Sequence, residues 1–246
     1  MRTTTRPLIE LYPLAFLLGV IGTAACAEDA KPAYPVMAPI EQYLEASASA
    51  EIALARTAAP PSISGDASVQ VLGKHGYETA VKGKNGFVCL VWRSWVAAFD
   101  DLDFWNPKIR VPVCFNPAGV RTVLPPYLES TKWALAGVSK TEMEKRSRAA
   151  IASKRIATPE PGAIAFMMGR EGDVGGEGSD AASHHWAPHV MIFFGHTDST
   201  TWGAGLHGSP ITADHGQPEP NITTFNVHVP VFSDGTPAIP GPPPAH

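Results

Sequence analysis

The chain is poor in cysteine, in clustered basic charge and in long apolar runs, and each shortage narrows the function. Three cysteines are spread over 246 residues and no C-x-x-C spacing occurs, which argues against dithiol redox catalysis. Nineteen Lys and Arg face 23 Asp and Glu, giving a net charge of −4, and no basic tract is present. Nucleic acid is therefore not expected as a partner, because its binding rests on Lys/Arg clusters facing phosphates. No apolar stretch approaches the roughly 20 residues that span a bilayer, so no transmembrane span is expected. The chain also lacks an internal repeat, an H-E-x-x-H zincin motif, a G-x-S-x-G elbow and an S-x-x-K pair. No motif names a reaction.

The first 27 residues read as an export signal. Arg2 and Arg6 supply a basic start, a mostly apolar run follows from Leu11 to Ile21, and Ala25-Cys26-Ala27 gives the small–x–small pattern of a cleavage site. Glu10 and Pro13 are irregular features of this segment. Thr23-Ala24-Ala25-Cys26 also resembles a bacterial lipoprotein box, which would anchor the protein through a lipidated Cys26. The expected location is periplasmic or extracellular, with lipid anchoring as the alternative. Setting residues 1–27 aside leaves 17 basic and 22 acidic residues, still mildly acidic. It also leaves Cys89 and Cys114. In an oxidising compartment such a pair most simply forms one disulfide; two buried thiols are the other option.

The rest reads as a flexible linker over 28–39, a single domain over 40–236 and a Pro-rich disordered tail over 237–246, since such ends bury too little apolar surface to offset their ordering entropy. Ile40 to Ala58, rich in Ala, Leu and Glu, predicts a helix ended by Pro60-Pro61. Val69–Leu72, Tyr77–Lys82 and Phe87–Trp95 predict three strands of an antiparallel meander, with Asn85-Gly86 as a hairpin signal. Residues 100–118 read as irregular. A helical segment, about 118–154, follows; Leu128 and Leu135 share a face, Gly137 is a stop, and Ser139-Lys140-Thr141-Glu142 is a capping box. Strands return at Ala163–Met168, His189–Phe194 and Ile222–Phe232. The order predicts an α+β fold with a largely antiparallel sheet and a helical segment inserted between two groups of strands.

Several stretches carry a resemblance. They are Glu78-Thr79-Ala80-Val81-Lys82-Gly83-Lys84-Asn85-Gly86-Phe87-Val88-Cys89, Phe104-Trp105-Asn106-Pro107-Lys108, Cys114-Phe115-Asn116-Pro117, Pro159-Glu160-Pro161-Gly162-Ala163 with Met167-Met168, His185-Trp186-Ala187-Pro188-His189, Trp202-Gly203-Ala204 and Gly208-Ser209-Pro210. Together they resemble an uncharacterised family of secreted bacterial proteins with no assigned activity. The resemblance spans about 38–237 and implies export and a single domain, but no reaction. Relatives often place a third histidine where this chain has Ala187, and Glu where it has Trp92. A family metal site built on that middle histidine would be missing here.

Four of the nine histidines lie between 184 and 196: His184, His185, His189 and His196. Neutral imidazole is the commonest metal ligand, so the cluster raises a zinc or copper site. If 185–189 is extended, as Pro188 favours, four steps of about 3.3 Å hold His185 and His189 roughly 13 Å apart. A site then needs an adjoining strand. His228, which shares a strand face with Asn226, is the candidate to approach His189, and Glu160 is the candidate carboxylate. The candidate metal ligands are His185, His189 and His228, and the same three with Glu160 are the candidates for acid–base catalysis. The plain alternative is a set of histidines making ordinary hydrogen bonds.

Residues 169–183, rich in Gly and acid, join two strands by a connection far longer than a hairpin; a solvated loop, a lid or a loose calcium loop fits, although EF-hand spacing is absent. Gly203-Ala204-Gly205-Leu206-His207-Gly208 matches G-x-G-x-x-G as a string, but Ser209-Pro210 follows in place of a helix, so these glycines read as turns and no cofactor site is expected there. Trp92, Trp95, Phe99, Phe104 and Trp105 read as core stapled by Cys89–Cys114, or as an aromatic groove. The expected function is an exported binding or structural module that meets a small molecule or a cell-envelope component. The alternative is an exported metal-dependent or acid–base hydrolase.

Overall fold

The computed structural model describes residues 34–175, 186–214 and 222–238. The signal segment, linker residues 28–33, residues 176–185 with His184 and His185, residues 215–221 with His215, and tail residues 239–246 lie outside the described residues.

In chain order the elements are α1 (Ala48–Arg56), α2 (Pro61–Ser64), β1 (Ser68–Gly73), β2 (Gly76–Val81), β3 (Val88–Trp92), β4 (Val111–Phe115), α3 (Pro117–Thr122), α4 (Leu124–Leu135), α5 (Lys140–Ala152), β5 (Ile164–Met167), β6 (His189–Gly195), β7 (Ile211–Asp214) and β8 (Ile222–His228). Among the described residues the strands form one sheet of order β2-β1-β3-β4-β5-β6-β8-β7. Every pairing is antiparallel except β1 with β3. The fold is α+β, with helices α3–α5 inserted between β1–β4 and β5–β8.

Local chemistry explains most boundaries. Ser47 caps α1 by accepting from the Ala50 amide, so the predicted helix over 40–58 shrinks to a 3₁₀ turn at Ile40–Gln42 and a later α-helix. Pro60-Pro61 opens α2, because proline suits the first helical turn, where an N–H has no partner anyway. Ser139 caps α5 by accepting from Glu142 N, as the capping box predicts. Gly137 adopts the left-handed conformation that ends α4.

Two expectations are corrected. The first three strands are not a meander. β1 and β2 form the hairpin, turning at Lys74-His75, and β3 then pairs with β1 on its other side, in parallel. The Asn85-Gly86 loop is therefore a crossover. It carries the chain over the start of β1, where Lys84 N donates to Asp66 O and Gly83 N to the Ser68 hydroxyl. A Cβ at Gly83 would lie 2.2 Å from Ser68 N, so only glycine permits the crossing. The second correction is β4, a central strand inside the stretch read as irregular. Its prolines hid it. Asn116 N donates to Ile164 O, so even-numbered residues of β4 turn their backbone groups toward β5. Pro112 falls where β5 has already left the pairing, with Met168 N donating to Ala58 O instead, so its missing N–H leaves no carbonyl stranded.

Each face of the sheet is covered. α1 packs on the face that carries Cys89, Val91 and Cys114. On the opposite face Leu90, Trp92, Val113 and Phe115 meet Leu124 and Tyr127 of α4. Trp95, Phe99, Phe104 and Trp105 form a third cluster with Tyr43 and Met143. Cys89 and Cys114 are disulfide-bonded. The bridge therefore staples the α1 face and not the aromatic cluster. Among the described residues no helix is long and apolar enough to cross a membrane.

Candidate functional site: a cleft at one end of the sheet

Strand register builds the site. Val111 pairs with Trp92, Met167 with His189, and His189 with His228. These residues gather at the end of the sheet where β3, β5 and β8 finish and β4 and β6 begin. One step inward, Met191 pairs with Ala165 and with Asn226. Side chains alternate between faces along a strand, so Trp92, Val111, Met167, His189, Met191, Asn226 and His228 all belong to one face. They floor a cavity of about 450 Å³. Its walls come from two connections: Arg93, Ser94, Val96, Ala97, Asp101 and Ile109 between β3 and β4, and Val174, Trp186 and Ala187 between β5 and β6.

The walls are held firmly. The Trp186 indole N–H donates to Met167 O at 3.0 Å. Gly172 lies so close to its ring that an added Cβ would sit 1.9 Å from it. Arg93 is fully buried and donates to Tyr43 O, Val91 O and the Glu51 carboxylate, 3.0 Å away. Its charge is thus spent inside the protein. Glu51, 2% exposed, also accepts from Leu72 N of β1. Burial pushes the Asp101 carboxyl above the usual aspartate range; the Asp103 amide opposes this, and the neighbouring Asp103 charge reinforces it.

His189 and His228 face each other with ring centroids 5.8 Å apart. His189 is buried, 8% exposed, whereas His228 is exposed. The Ala187 carbonyl lies 2.8 Å from His189 Nδ1. A carbonyl can only accept, so Nδ1 carries a proton and donates it to Ala187. The Thr212 hydroxyl lies 3.4 Å from His228 Nε2.

Of the candidates named from sequence, the structure brings His189 and His228 together. Glu160 stands apart. It precedes β5, whose far end meets His189, and it pairs with Arg121 of α3 at the opposite end of the strands. His185 lies outside the described residues, and among those described no group of three or more His, Cys, Asp or Glu is placed to hold a metal. His196 follows the far end of β6, and His207 sits in the turn between Gly205 and Gly208, both left-handed as the turn reading requires. Arg93 and Ser94 escaped sequence reading because they fall inside the predicted strand Phe87–Trp95, which ends at Trp92, and Asp101 and Ile109 because they lie in the stretch read as irregular. The polar alternation of Asn226 and His228 against Phe225 and Val227 was the signal that a polar-faced strand lined a cleft.

Fold and cleft together define the class: an α+β protein with a largely apolar, histidine-edged cleft at a sheet end. No known family model, curated protein or solved structure matches this chain.

Proposed function

We propose that the protein is an exported binding protein that takes a small, mostly apolar molecule, with a hydrogen-bonding group at one end, into this cleft. The observation that carries the reading is the composition of the cavity. Trp92, Trp186, Met167 and Met191 supply apolar and aromatic surface, and the polar groups gather at Ser94, Asp101, His189, Asn226 and His228. A concave, mostly apolar site with a few converging polar groups is how proteins bury small ligands. About 450 Å³ suits a molecule of one or two rings or a short acyl chain. Export rests on the basic–apolar–small pattern of residues 2–27 and is supported by the disulfide.

The test is a thermal-shift screen of aromatic acids, aromatic amines and short acyl compounds, followed by titration of tryptophan fluorescence. At least one compound is expected to bind with saturation at one per chain. Ala97→Trp, which fills the cleft, is expected to abolish that binding while leaving the far-UV spectrum unchanged. Binding that survives the filled cleft, or a screen without a hit alongside no small molecule co-purifying with the protein, overturns the proposal. Recovery of the compound in hydrolysed form moves the reading to an acid–base hydrolase. His189 would then be the candidate base.

A further inference from the structure

A second cavity, of about 370 Å³, opens at the end of α1 and shares no lining residue with the cleft. One wall is the end of α1 with its connection into α2, and the other is the turn at Ser233-Asp234. Backbone hydrogen bonds tie the walls together: Met168 N donates to Ala58 O, Ser233 N donates to Met168 O, and Phe232 N donates to Thr236 O to close the turn. Each wall carries one charge, Arg56 from α1 and Asp234 from the turn. Every described arginine except Arg56 pairs with a carboxylate. Arg56 Nε is buried from water without a hydrogen-bond partner, unlike the solvated side chain of an ordinary surface arginine. Asp234 does not reach it. Its Oδ1 accepts from the Thr236 hydroxyl and amide, and its Oδ2 lies 4.0 Å from Arg170, at the limit of an ion pair. The Thr236 hydroxyl, then the Thr236 amide, hold the Asp234 carboxyl below the ordinary aspartate range, so it is ionised at neutral pH.

We infer that this cavity is a second binding site, for a small zwitterion of the α-amino-acid class, with the ligand carboxylate on Arg56 and its ammonium on Asp234. The charges carry the inference. Two opposite charges line one cavity without pairing with each other, an arrangement complementary to a ligand that bears both signs. A guanidinium offers a planar fork of N–H donors that matches a carboxylate. An ionised carboxylate accepts from an ammonium, and Asp234 has engaged only one of its two oxygens within hydrogen-bond distance. The lining between the charges is small: Ala59 and Pro61 are apolar, and Ser64 and Ser233 add hydroxyls. A volume of about 370 Å³ lies in the range that proteins use for small ligands. α1 packs on the sheet face opposite the one that floors the cleft. The inference is therefore independent of any ligand taken by the cleft.

The experiment titrates the full chain by calorimetry with glycine, L-alanine, L-serine, L-proline and L-valine, and then with the N-acetyl and amide derivatives of whichever binds. One amino acid per chain is expected. Removing either ligand charge, as the N-acetyl or the amide derivative, is expected to weaken binding by at least about tenfold, and so is Arg56→Gln. Asp234→Asn is expected to erase the preference for the zwitterion over its N-acetyl derivative. This variant keeps the test sound if Arg56→Gln disturbs folding, because Asp234 is exposed and asparagine keeps the oxygen that accepts from Thr236. A panel without binding overturns the site, as does binding that survives both substitutions undiminished. An N-acetyl derivative that binds as tightly as its parent reduces the cavity to an anion site and overturns the zwitterion assignment. Amino-acid binding that is lost in Ala97→Trp belongs to the cleft and overturns the second site, so failure of this inference is distinguishable from failure of the cleft reading.

Discussion

Asp101 shows how one side chain in a cleft wall records its surroundings. Burial raises its carboxyl pKa above the unfolded value. The folded state therefore holds the proton more tightly than the unfolded chain. Below the ordinary aspartate range, about 3.9, both states are protonated and the group costs nothing; as pH rises through the raised pKa, the folded state must carry a disfavoured charge and loses stability. Asp101→Asn keeps the oxygen that accepts from Asp103 N and removes that charge. It is expected to raise the unfolding free energy from urea denaturation near neutral pH by less than about 1 kcal/mol, since the half-buried group stays solvent-screened. The gain should vanish in acid. A variant less stable than the parent at neutral pH, or a difference independent of pH, contradicts this account. Nothing in the sequence around Asp101 announced it: Asp100, Asp101 and Asp103 look alike in a run of acids. His228 was legible because a polar residue alternated with apolar ones. Glu160 was legible as a strand-flanking carboxylate, but its strand end faces away from the histidines.

At the scale of elements, the ladder geometry that pairs the histidines also pairs the cysteines. Even-numbered residues of β4 direct their backbone toward β5, so Cys114 faces Cys89 of β3 in a non-hydrogen-bonded pair. The bridge spans 25 residues of sequence and is fully buried under α1. Closing a loop of that length removes unfolded-state entropy equivalent to about 3–4 kcal/mol. Replacing both cysteines by alanine is expected to lower the melting temperature by on the order of 10 °C, with parent and variant compared under oxidising conditions. A shift under roughly 2 °C contradicts a structural role for the bridge. The elements themselves were unevenly readable. The capping box at Ser139 fixed the start of α5 because a cap is local chemistry. Partner choice among β1, β2 and β3 was not readable, because Asn85-Gly86 specifies a turn and leaves open which strand lies beyond it. β4 was missed for a related reason. Proline statistics describe an average strand, and Pro112 occupies the one position whose N–H no neighbour requires.

For the molecule as a whole, Arg93 is the knot between cleft and scaffold. The parallel pairing of β1 with β3 lasts only from Ser68–Val69 to Val88–Cys89. Beyond it the strands leave backbone groups that a ladder would otherwise satisfy. Side chains take over: Glu51 of α1 accepts from Leu72 N, and Arg93 and Tyr77 donate to Val91 O. Arg93 also holds the amino-terminal segment through Tyr43 O, and Arg110 adds Gln42 O, Leu44 O and Glu45. The ion pair therefore joins α1, β1, β3, the amino-terminal segment and the cleft wall at one buried point. Truncating a single partner of such a pair leaves an uncompensated charge in a low-dielectric interior, a cost of about 3–5 kcal/mol. Glu51→Ala strands both the Arg93 guanidinium and the Leu72 amide, so a loss in that range is expected by urea denaturation, together with weakened ligand binding in the cleft that Arg93 lines. The double variant Glu51→Ala/Arg93→Met removes the stranded charge and should recover part of the stability. Its Leu72 amide remains unsatisfied, so recovery should fall short of the parent. If the single variant costs under about 1 kcal/mol, or the double variant is no better than the single one, the pair is not what couples the cleft to the sheet.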